Sequence, residues 1–402
     1  MGLRDFWDSA PLGSPRLLEL SAVSPSRRLA LRSVALLNND YDADRAYMRG
    51  ALDLAQRGWG QTAPNPMVGA VVVRDGAVVG EGFHARYGDD HAEVVALRAA
   101  GERARGATLY VTLEPCAHHG KTPPCSDAVI AAGVSRVVVA TPDPNPEAAG
   151  GAERLRARGI RVDVGVEENE ARELNAAFFH AHASDRPWVV LKLATSLDGA
   201  IADATRARGS GGDWLTGPDA RREVHRMRAG VDAIAVGVGT VLADDPMLTV
   251  RDVPPPRIPP RRIVFDSELR TPLGAAVVRG ARVAPTTIVA RHADHARRAA
   301  LEAQGVRVEV HETLHDALRT LKAAEIRSLL VEGGARFAGS LLEQGLVDRL
   351  VIFQAPVVLG AGALNAFAHV SPTAAASLGR LRIIERVQFG DDVKTTYAFG
   401  AG

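Results

Sequence analysis

Both cysteines of this 402-residue chain lie within one eleven-residue segment, residues 115–125. The segment follows an apolar run at 108–113 that is typical of a buried strand, and a helical pattern begins at Ser126. His91 and Glu93 lie upstream, at the start of another predicted helix. A helix N-terminus stabilises thiolates, because it carries partial positive charge and unpaired N–H groups. The pattern therefore predicts a fold that brings one imidazole, two thiols and one carboxylate together.

These side chains are typical ligands of zinc. His91, Cys116 and Cys125 offer three protein ligands, and Glu93 remains as a spare carboxylate. A structural zinc site has four protein ligands, whereas a catalytic site keeps one position for water. Zinc-activated water with a glutamate proton shuttle is the chemistry of hydrolytic deaminases. We therefore predict that His91, Cys116 and Cys125 bind Zn²⁺ and that Glu93 is catalytic.

Two other interpretations remain open at this point. Two cysteines in a chain of this size could simply be buried and inert. A non-catalytic protein with structural zinc would need a fourth protein ligand, and the sequence offers no third cysteine. The spacing also departs from the general nucleobase-deaminase signature, in which two residues separate the cysteines. Here the intervening loop is longer and carries His118, His119 and Lys121.

Composition argues against several classes of protein. The formal net charge is +1 and aromatic residues make up 5%, which disfavours a nucleic-acid deaminase with a basic, base-stacking channel. Two cysteines disfavour a disulfide-rich secreted scaffold. No apolar run approaches the roughly 20 residues needed to span a bilayer. We expect a cytoplasmic α/β protein with no nucleic-acid or membrane partner.

The first 41 residues differ from the rest of the chain. Residues 24–33 are rich in Arg and Ser, as organellar presequences are, but Asp5, Asp8 and Glu19 argue against that interpretation. We expect residues 1–41 to form a disordered tail. The alternative is a start codon assigned too far upstream, and the predicted fold begins at residue 42.

From residue 42 onwards, strand and helix patterns alternate in two series. Such alternation predicts mostly parallel sheets that helices cover on both faces. The first series ends in a charged helical segment, residues 167–185, and a second begins at Trp188 after Arg186 and Pro187. We therefore place a deaminase domain at 42–186 and a second domain at 187–402, with a proline-rich surface loop at 254–260.

The string Pro-Cys-Ala-His-His-Gly-Lys-Thr-Pro-Pro-Cys at 115–125, with Ala-Pro-Asn-Pro-Met-Val-Gly at 63–69, resembles a known family. It is similar to the bifunctional deaminase/reductase family of riboflavin biosynthesis, over residues 42–400. The resemblance implies an N-terminal cytidine-deaminase-like α/β/α sandwich and a C-terminal dihydrofolate-reductase-like α/β domain. It also implies zinc-dependent deamination of a small-molecule pyrimidine ribose phosphate, NADPH-dependent reduction of its ribosyl chain to ribityl, and a homo-oligomer.

The resemblance further implies roles for individual residues. In the first half, Asn65, His118 and Lys121 match positions that line the pyrimidine and ribose-phosphate pocket. In the second half, strings at 192–199 and 240–251 carry the match. The implied substrate contacts there are Arg228, Leu248, Arg251 and Glu332. The implied cofactor contacts are Lys192, Ala194, Trp214, Thr240, Asp244, Ser267, Gly334, Ala335 and Arg336.

The glycines of the second half do not by themselves identify a cofactor. Gly237 and Gly239 close one predicted strand, and Gly333 and Gly334 follow another, but neither set forms a Rossmann fingerprint. The loop at 201–213 is a few residues longer than the family pattern and has Gly212 where the family has a serine. The alternative function is therefore a deaminase whose reductase-like domain is inactive or structural.

Overall fold

The computed structural model describes residues 40–119, 123–203 and 214–400. Almost all of the predicted tail, Lys121, and most of the lengthened loop with Gly212 lie outside the described residues. The described chain folds around two sheets, one from each predicted series.

The first sheet has five strands in the order β2-β1-β3-β4-β5. Two pairings are antiparallel, β1 with β2 and β1 with β3, and two are parallel. The prediction of a mostly parallel sheet was wrong for this half. Asp75 and Gly76 both have positive φ and reverse the chain in a tight hairpin, so β2 returns antiparallel to β1. The bounds are β1 Gly69–Arg74, β2 Ala77–Phe83, β3 Thr108–Val111, β4 Arg136–Val139 and β5 Arg161–Val164.

Helices cover both faces of this sheet, as the predicted α/β/α sandwich requires. Val72 packs against one group of helices and Val71 against the other, because successive strand side chains point to opposite faces. Helices α2, α3 and α4 lie on the Val72 face, and α1 and α5 lie on the Val71 face. The bounds are α1 Asp40–Ala55, α2 Ala92–Ala100, α3 Cys125–Ala132, α4 Gly151–Arg156, α5 Glu168–Leu174 and α6 Ala176–Ala183, with 3₁₀ turns at Gln56–Gly58 and Gly101–Ala104.

The predicted helical segment at 167–185 is two helices, separated at Asn175. The buried Asn175 side chain accepts a hydrogen bond from the Met67 N–H and donates one to the Met67 carbonyl, both at 2.8 Å. This pairing fixes a non-helical backbone at Asn175 and anchors the chain that enters β1.

The second sheet has nine strands in the order β11-β10-β9-β8-β12-β6-β13-β16-β15. All pairings from β11 to β13 are parallel, and β16 adds antiparallel to β13 and β15. The bounds are β6 Trp188–Thr195, β8 Ala233–Gly237, β9 Arg261–Phe265, β10 Thr286–Ala290, β11 Arg307–Val310, β12 Ser328–Glu332, β13 Arg349–Gln354, β15 Arg382–Phe389 and β16 Asp392–Ala398. Strands β7 Ala200–Ala202 and β14 Leu364–Asn365 form a separate small ladder.

Separate apolar clusters pack on this sheet. Because β6, β8, β9 and β12 run parallel, their carboxyl ends meet at one edge, where most of the predicted cofactor residues lie. The helices are α7 Pro218–Ala229, α8 Val238–Asp244, α9 Ala276–Arg279, α10 His295–Ala303, α11 Leu314–Ala323, α12 Ala335–Glu343 and α13 Pro372–Leu378. None of the helices in the described ranges combines the length and apolar character needed to cross a membrane.

The two halves contact each other directly. Arg349 forms a bidentate ion pair with Glu173, with N···O distances of 2.5 and 2.9 Å. At the predicted boundary, Arg186 binds Asp348 through both guanidinium nitrogens at 2.6 and 2.8 Å. These side chains are only partly exposed, so the halves share a packed interface.

Candidate active sites

His91, Cys116 and Cys125 converge at one edge of the first sheet. His91 is the N-cap residue of α2, Cys116 follows β3, and Cys125 is the first residue of α3. His91 Nδ1 lies 3.1 Å from Cys125 Sγ and 3.8 Å from Cys116 Sγ, and the three ligand atoms lie within 4.8 Å of one another. The predicted cluster therefore forms.

These three donors fit a zinc ion. Zn–S and Zn–N bonds of about 2.3 and 2.0–2.1 Å in a tetrahedral site place ligand atoms roughly 3.5–3.8 Å apart. The Cys125 N–H also donates to Cys116 Sγ at 3.3 Å, as a helix N-terminus does towards a thiolate. The pKa of Cys116 is lowered, first by its hydrogen bond with Cys125. Burial opposes this effect, and His91 reinforces it.

Glu93 lies in the first turn of α2 and is buried, with 3% of its surface exposed. Burial raises its pKa to about 7, against the opposing charge of His91. Glu93 is not part of the three-ligand cluster but lines the same pocket. A carboxyl group with a pKa near neutrality can both accept and release a proton at physiological pH.

The pocket around this cluster has a volume of about 310 Å³. Of the predicted substrate contacts, Asn65 and His118 line it. His118 Nδ1 is buried and has no hydrogen-bond partner among the described residues. Lys121, the third predicted contact, lies outside the described residues.

Several polar residues of this pocket were given no role from the sequence, among them His84 and Asp143. His84 lies edge-on to His91, with 5.1 Å between ring centroids, and its Nε2 is 3.3 Å from Asn65 Nδ2. Asp143 also lines the pocket, and burial raises its pKa to about 6. His84 carries no motif signal, whereas Asp143 lies in the Asp-Pro-Asn-Pro string that follows β4.

Glu114, directly before the cysteine loop, holds part of the pocket wall in place. Its carboxylate accepts hydrogen bonds from the N–H groups of Asp143, Gly150 and Ala152, at 3.2, 3.2 and 2.9 Å. The loop that carries Asp143 is therefore fixed beside Cys116.

A second cluster of charges lies in the nine-stranded sheet. Lys192 on β6 and Glu332 on β12 occupy paired register positions. Arg228, near the end of α7, donates to both carboxylate oxygens of Glu332 at 2.5 and 2.9 Å, and to the Thr249 carbonyl at 2.9 Å. The family resemblance implied that Arg228 and Glu332 contact the substrate, whereas in the structure they pair with each other. Their contact with a substrate stays a prediction.

The other two predicted substrate residues differ in exposure. Arg251 is exposed, and its Nη1 donates to Thr249 Oγ1 at 3.1 Å. Leu248 is 3% exposed, has a positive φ of 50°, and its side chain packs in an apolar core cluster.

Most predicted cofactor residues lie at the carboxyl edge of the parallel strands. Ala194 is on β6, Thr240 and Asp244 are on α8, and Ser267 follows β9. Burial raises the pKa of Asp244. Trp214 lies apart, before α7, with 69% of its surface exposed and the Arg221 guanidinium 5.7 Å from its ring centre.

Gly334, Ala335 and Arg336 begin α12 directly after β12. A Cβ at Gly334 would lie only 3.5 Å from Thr240 Oγ1, so the start of α12 closely approaches α8. Glycine at a helix N-terminus leaves N–H groups accessible to phosphate oxygens. This part of the edge therefore suits the pyrophosphate of a dinucleotide.

The fold and the two clusters define a zinc-type deaminase domain joined to an α/β reductase domain. Residues 41–141 match the cytidine and deoxycytidylate deaminase zinc-binding region, and residues 187–395 match the RibD C-terminal domain. The chain belongs to the RibD family of riboflavin-biosynthesis proteins, and it is a deaminase/reductase enzyme.

Similar proteins match over most of the chain. The riboflavin biosynthesis protein RibD of Aquifex aeolicus is 48% identical over 80% of this chain and 89% of its own length. The Escherichia coli RibD is 45% identical with the same coverage of both. The structure of Acinetobacter baumannii RibD superposes with a TM-score of 0.76 at 38% identity, covering 90% of this chain and all of that chain.

A second solved structure carries a more specific description. It is a diaminohydroxyphosphoribosylaminopyrimidine deaminase/5-amino-6-(5-phosphoribosylamino)uracil reductase from Thermotoga maritima. It is 33% identical, with a TM-score of 0.75, and covers 90% of this chain and all of that chain. The predicted two-domain fold and the prediction of a bifunctional enzyme are confirmed.

Proposed function

We propose that this chain deaminates 2,5-diamino-6-(5-phosphoribosylamino)pyrimidin-4-one and then reduces the ribosyl chain of the product to ribityl. The observation that carries the proposal is the pocket in which Glu93 lies beside three zinc-type ligands. The Thermotoga protein, named for both activities, supports the choice of substrate.

His91, Cys116 and Cys125 are the proposed zinc ligands. Bound there, zinc would supply Lewis-acid activation of the attacking water. Glu93 accepts a proton from that water and delivers it to the amino group that leaves C2 of the pyrimidine as ammonia. Because Glu93 is buried and is not a ligand, its carboxylate remains available for both transfers.

Asn65, His118 and Lys121 are the proposed substrate contacts in this pocket. Asn65 lines the wall beside His84. His118 Nδ1, which no described residue hydrogen-bonds, is available for a polar group of the substrate. A lysine in the same loop would attract the ribose phosphate by its charge.

In the reductase domain, we propose that Lys192, Asp244 and Glu332 lie near the carbon that is reduced, ribose C1′. NADPH would supply the hydride, and a proton would go to the ring oxygen as the sugar opens. Lys192 is a suitable proton donor, since burial lowers the pKa of its ammonium while Glu332 opposes this shift. The proposed phosphate contacts are Arg228 and Arg251, with Leu248 beside the substrate. The proposed cofactor contacts are Lys192, Ala194, Trp214, Thr240, Asp244, Ser267, Gly334, Ala335 and Arg336.

Further proposals concern organisation and setting. We place the domains at 42–186 and 187–402, and the reductase-family match that begins at 187 supports this division. We also propose a cytoplasmic homo-oligomer that acts on a small molecule rather than on nucleic acid. The net charge of +1 supports the choice of a small-molecule substrate.

One incubation tests the proposed function. Purified protein with the diaminopyrimidine phosphate should release ammonia without NADPH and form the ribityl product only with it. NADPH should give a higher kcat/KM than NADH in the second step. Ammonia release without any consumption of NADPH would favour the alternative, a deaminase with an inactive reductase domain. No ammonia from zinc-loaded protein would refute the deaminase assignment.

A further inference from the structure

A non-helical stretch, residues 59–65, leads into the wall of the deaminase pocket at Asn65, and we call it the wall segment. It begins after the 3₁₀ turn Gln56–Gly58 and ends at Asn65, which lines the pocket. Two residues further along, Met67 is held by Asn175 of the same domain. Several hydrogen bonds of residues 59–64 are instead made with the reductase domain.

Reductase-domain arginines bind the carbonyl groups of the wall segment. The Arg257 N–H donates to the Gly60 carbonyl at 2.8 Å, and the Arg257 guanidinium donates to the Ala63 carbonyl. Arg327 Nη1 donates to the Pro64 carbonyl at 3.1 Å. Three backbone carbonyls between Gly60 and Pro64 thus accept hydrogen bonds from the other domain.

The same Arg257 also contacts a second part of the pocket wall. Its guanidinium carbon lies 5.0 Å from the ring centre of Tyr87, within cation–π range. Tyr87 lines the deaminase pocket, and its N–H donates to the Gln61 carbonyl at 3.2 Å. Arg257 therefore links two separate stretches of the wall.

The start of the wall segment, Trp59, packs against the reductase domain. Trp59 Nε1 donates to the Arg226 carbonyl at 2.8 Å, and the Arg226 guanidinium lies 4.7 Å from its ring centre. A Cβ at Gly230 would lie 2.2 Å from the Trp59 ring, so only glycine fits there. Glu223 holds Arg226 through two hydrogen bonds at 2.6 and 2.8 Å. The surface on which the wall segment packs is therefore braced by contacts within the reductase domain.

We propose that Arg257 is a positioning residue for deamination, supplied by the reductase domain. Acting through Ala63 and Tyr87, it holds the pocket wall in the shape that binds the pyrimidine phosphate. The proposal rests on the proposed function of the deaminase pocket. Arg257 does not contact the His91, Cys116 and Cys125 cluster in the described structure, so its removal should affect substrate binding more than the chemical step.

The first test separates KM from kcat in the full-length protein. Arg257→Ala should raise the KM for the diaminopyrimidine phosphate by about tenfold, because it removes a charge-assisted hydrogen bond and a cation–π contact. The deaminase kcat should change less, and the zinc content and the reductase kcat/KM on supplied uracil product should stay within about twofold. Arg257→Lys keeps a positive charge near Tyr87, so its KM should lie between those of the wild type and Arg257→Ala. This variant replaces Arg257→Ala in the test if the alanine variant folds poorly.

The matched control is Arg282→Ala. Arg282 also donates to a backbone carbonyl, that of Ala303 at 2.9 Å, but both residues belong to the reductase domain. Its deaminase KM should equal that of the wild type. An unchanged KM in Arg257→Ala, or equal losses in both activities of that variant, would overturn the positioning role.

Hydrogen exchange gives a readout that does not depend on turnover. In Arg257→Ala the amides of residues 59–67 should exchange about tenfold faster than in Arg282→Ala, while those of 92–100 should not change. Unchanged exchange at 59–67 would overturn the proposal even if the wild type deaminates. Faster exchange in a protein that releases no ammonia would instead identify the proposed function as the part that failed.

Discussion

Lys192 and Glu332 face each other across two parallel strands, in register on β6 and β12, and Glu332 also binds Arg228 through both carboxylate oxygens. One carboxylate thus lies between two cations in a half-buried part of the reductase domain. Burial alone would raise the pKa of Glu332, but Arg228 and Lys192 outweigh it and lower that pKa. The carboxylate is therefore charged at neutral pH, and it supplies the negative charge that balances the two cations.

Lys192→Met should abolish reduction while leaving deamination intact. The variant keeps most of the side-chain volume and removes the ammonium that we propose protonates the opening sugar. We expect the reductase kcat to fall by about 10²-fold or more. NADPH consumption on supplied uracil substrate measures this, with ammonia release as the second readout. Lys322→Met, at a lysine that binds the Ala181 carbonyl, is the control. Full reductase activity in Lys192→Met would contradict the assignment.

Glu332→Gln should destabilise the protein in a pH-dependent way. It leaves Arg228 and Lys192 without their anionic partner, and we expect a loss of about 1–3 kcal/mol in the free energy of unfolding at pH 7, below the range for fully buried pairs because the side chains are partly exposed. Since the folded pKa of Glu332 is lowered, its contribution is complete above the unfolded value of 4.5 and is lost as pH falls through the folded value. The difference in the free energy of unfolding between wild type and variant should therefore disappear at acidic pH.

Urea titrations at several pH values measure that gap. The comparison variant is Glu302→Gln, which breaks an exposed pair with Arg298 and should cost less than about 1 kcal/mol. A gap that is the same at pH 3 and pH 7 would show that the charge of Glu332 is not the cause.

Cys125→Ser should remove both the metal and ammonia release, whereas Glu93→Gln should keep the metal and lose turnover by about 10²–10⁴-fold. The reason is that Cys125 is one of the three converging donors, and Glu93 lies beside them without being one. Metal analysis of both purified variants distinguishes the roles. Reductase activity on supplied uracil substrate should persist in each. A metal-free protein that still deaminates at the wild-type rate would refute this assignment.

Asp143→Asn should stabilise the protein at neutral pH. Burial raises the folded pKa of Asp143 to about 6, above its ordinary value of 3.8, so its ionised form is disfavoured in the fold. The stability that this carboxyl contributes is complete below pH 3.8 and is lost as pH rises through about 6. The variant should therefore be more stable than wild type at pH 7.5 and no more stable at pH 3.5. Denaturation of EDTA-treated protein measures the free energy of unfolding without the charge of a bound metal. An equal gain in stability at both pH values would contradict the predicted effect of the Asp143 charge.

The convergence of His91, Cys116 and Cys125 could be predicted from the sequence because each of them adjoins a recognisable element boundary. Cys116 follows an apolar strand, and His91 and Cys125 lie at helix starts, so local patterns placed all three. The pairing of Lys192 with Glu332 could not be predicted in this way, because β12 inserts between β8 and β6 in an order unrelated to the chain order.

Tertiary contacts account for the other differences. The helix break at Asn175 depends on hydrogen bonds to Met67, 108 residues away, which no local pattern signals. His84 was missed for the same reason, since it joins the pocket only when β2 ends beside His91. The hairpin of β15 and β16 was also missed. The strand β15 is an exposed edge strand without the continuous apolar run that marks a central one.

Because Trp59 packs against Gly230, the peptide link is not the only connection between the two domains. Residues 59–64 are docked on the reductase domain through contacts independent of the connection at Arg186 and Pro187. Two chains severed at that connection would meet through the same surface, and the intact link serves mainly to raise the effective concentration of one half at the other. Fusion of the two catalytic units in one polypeptide thus makes their association independent of dilution.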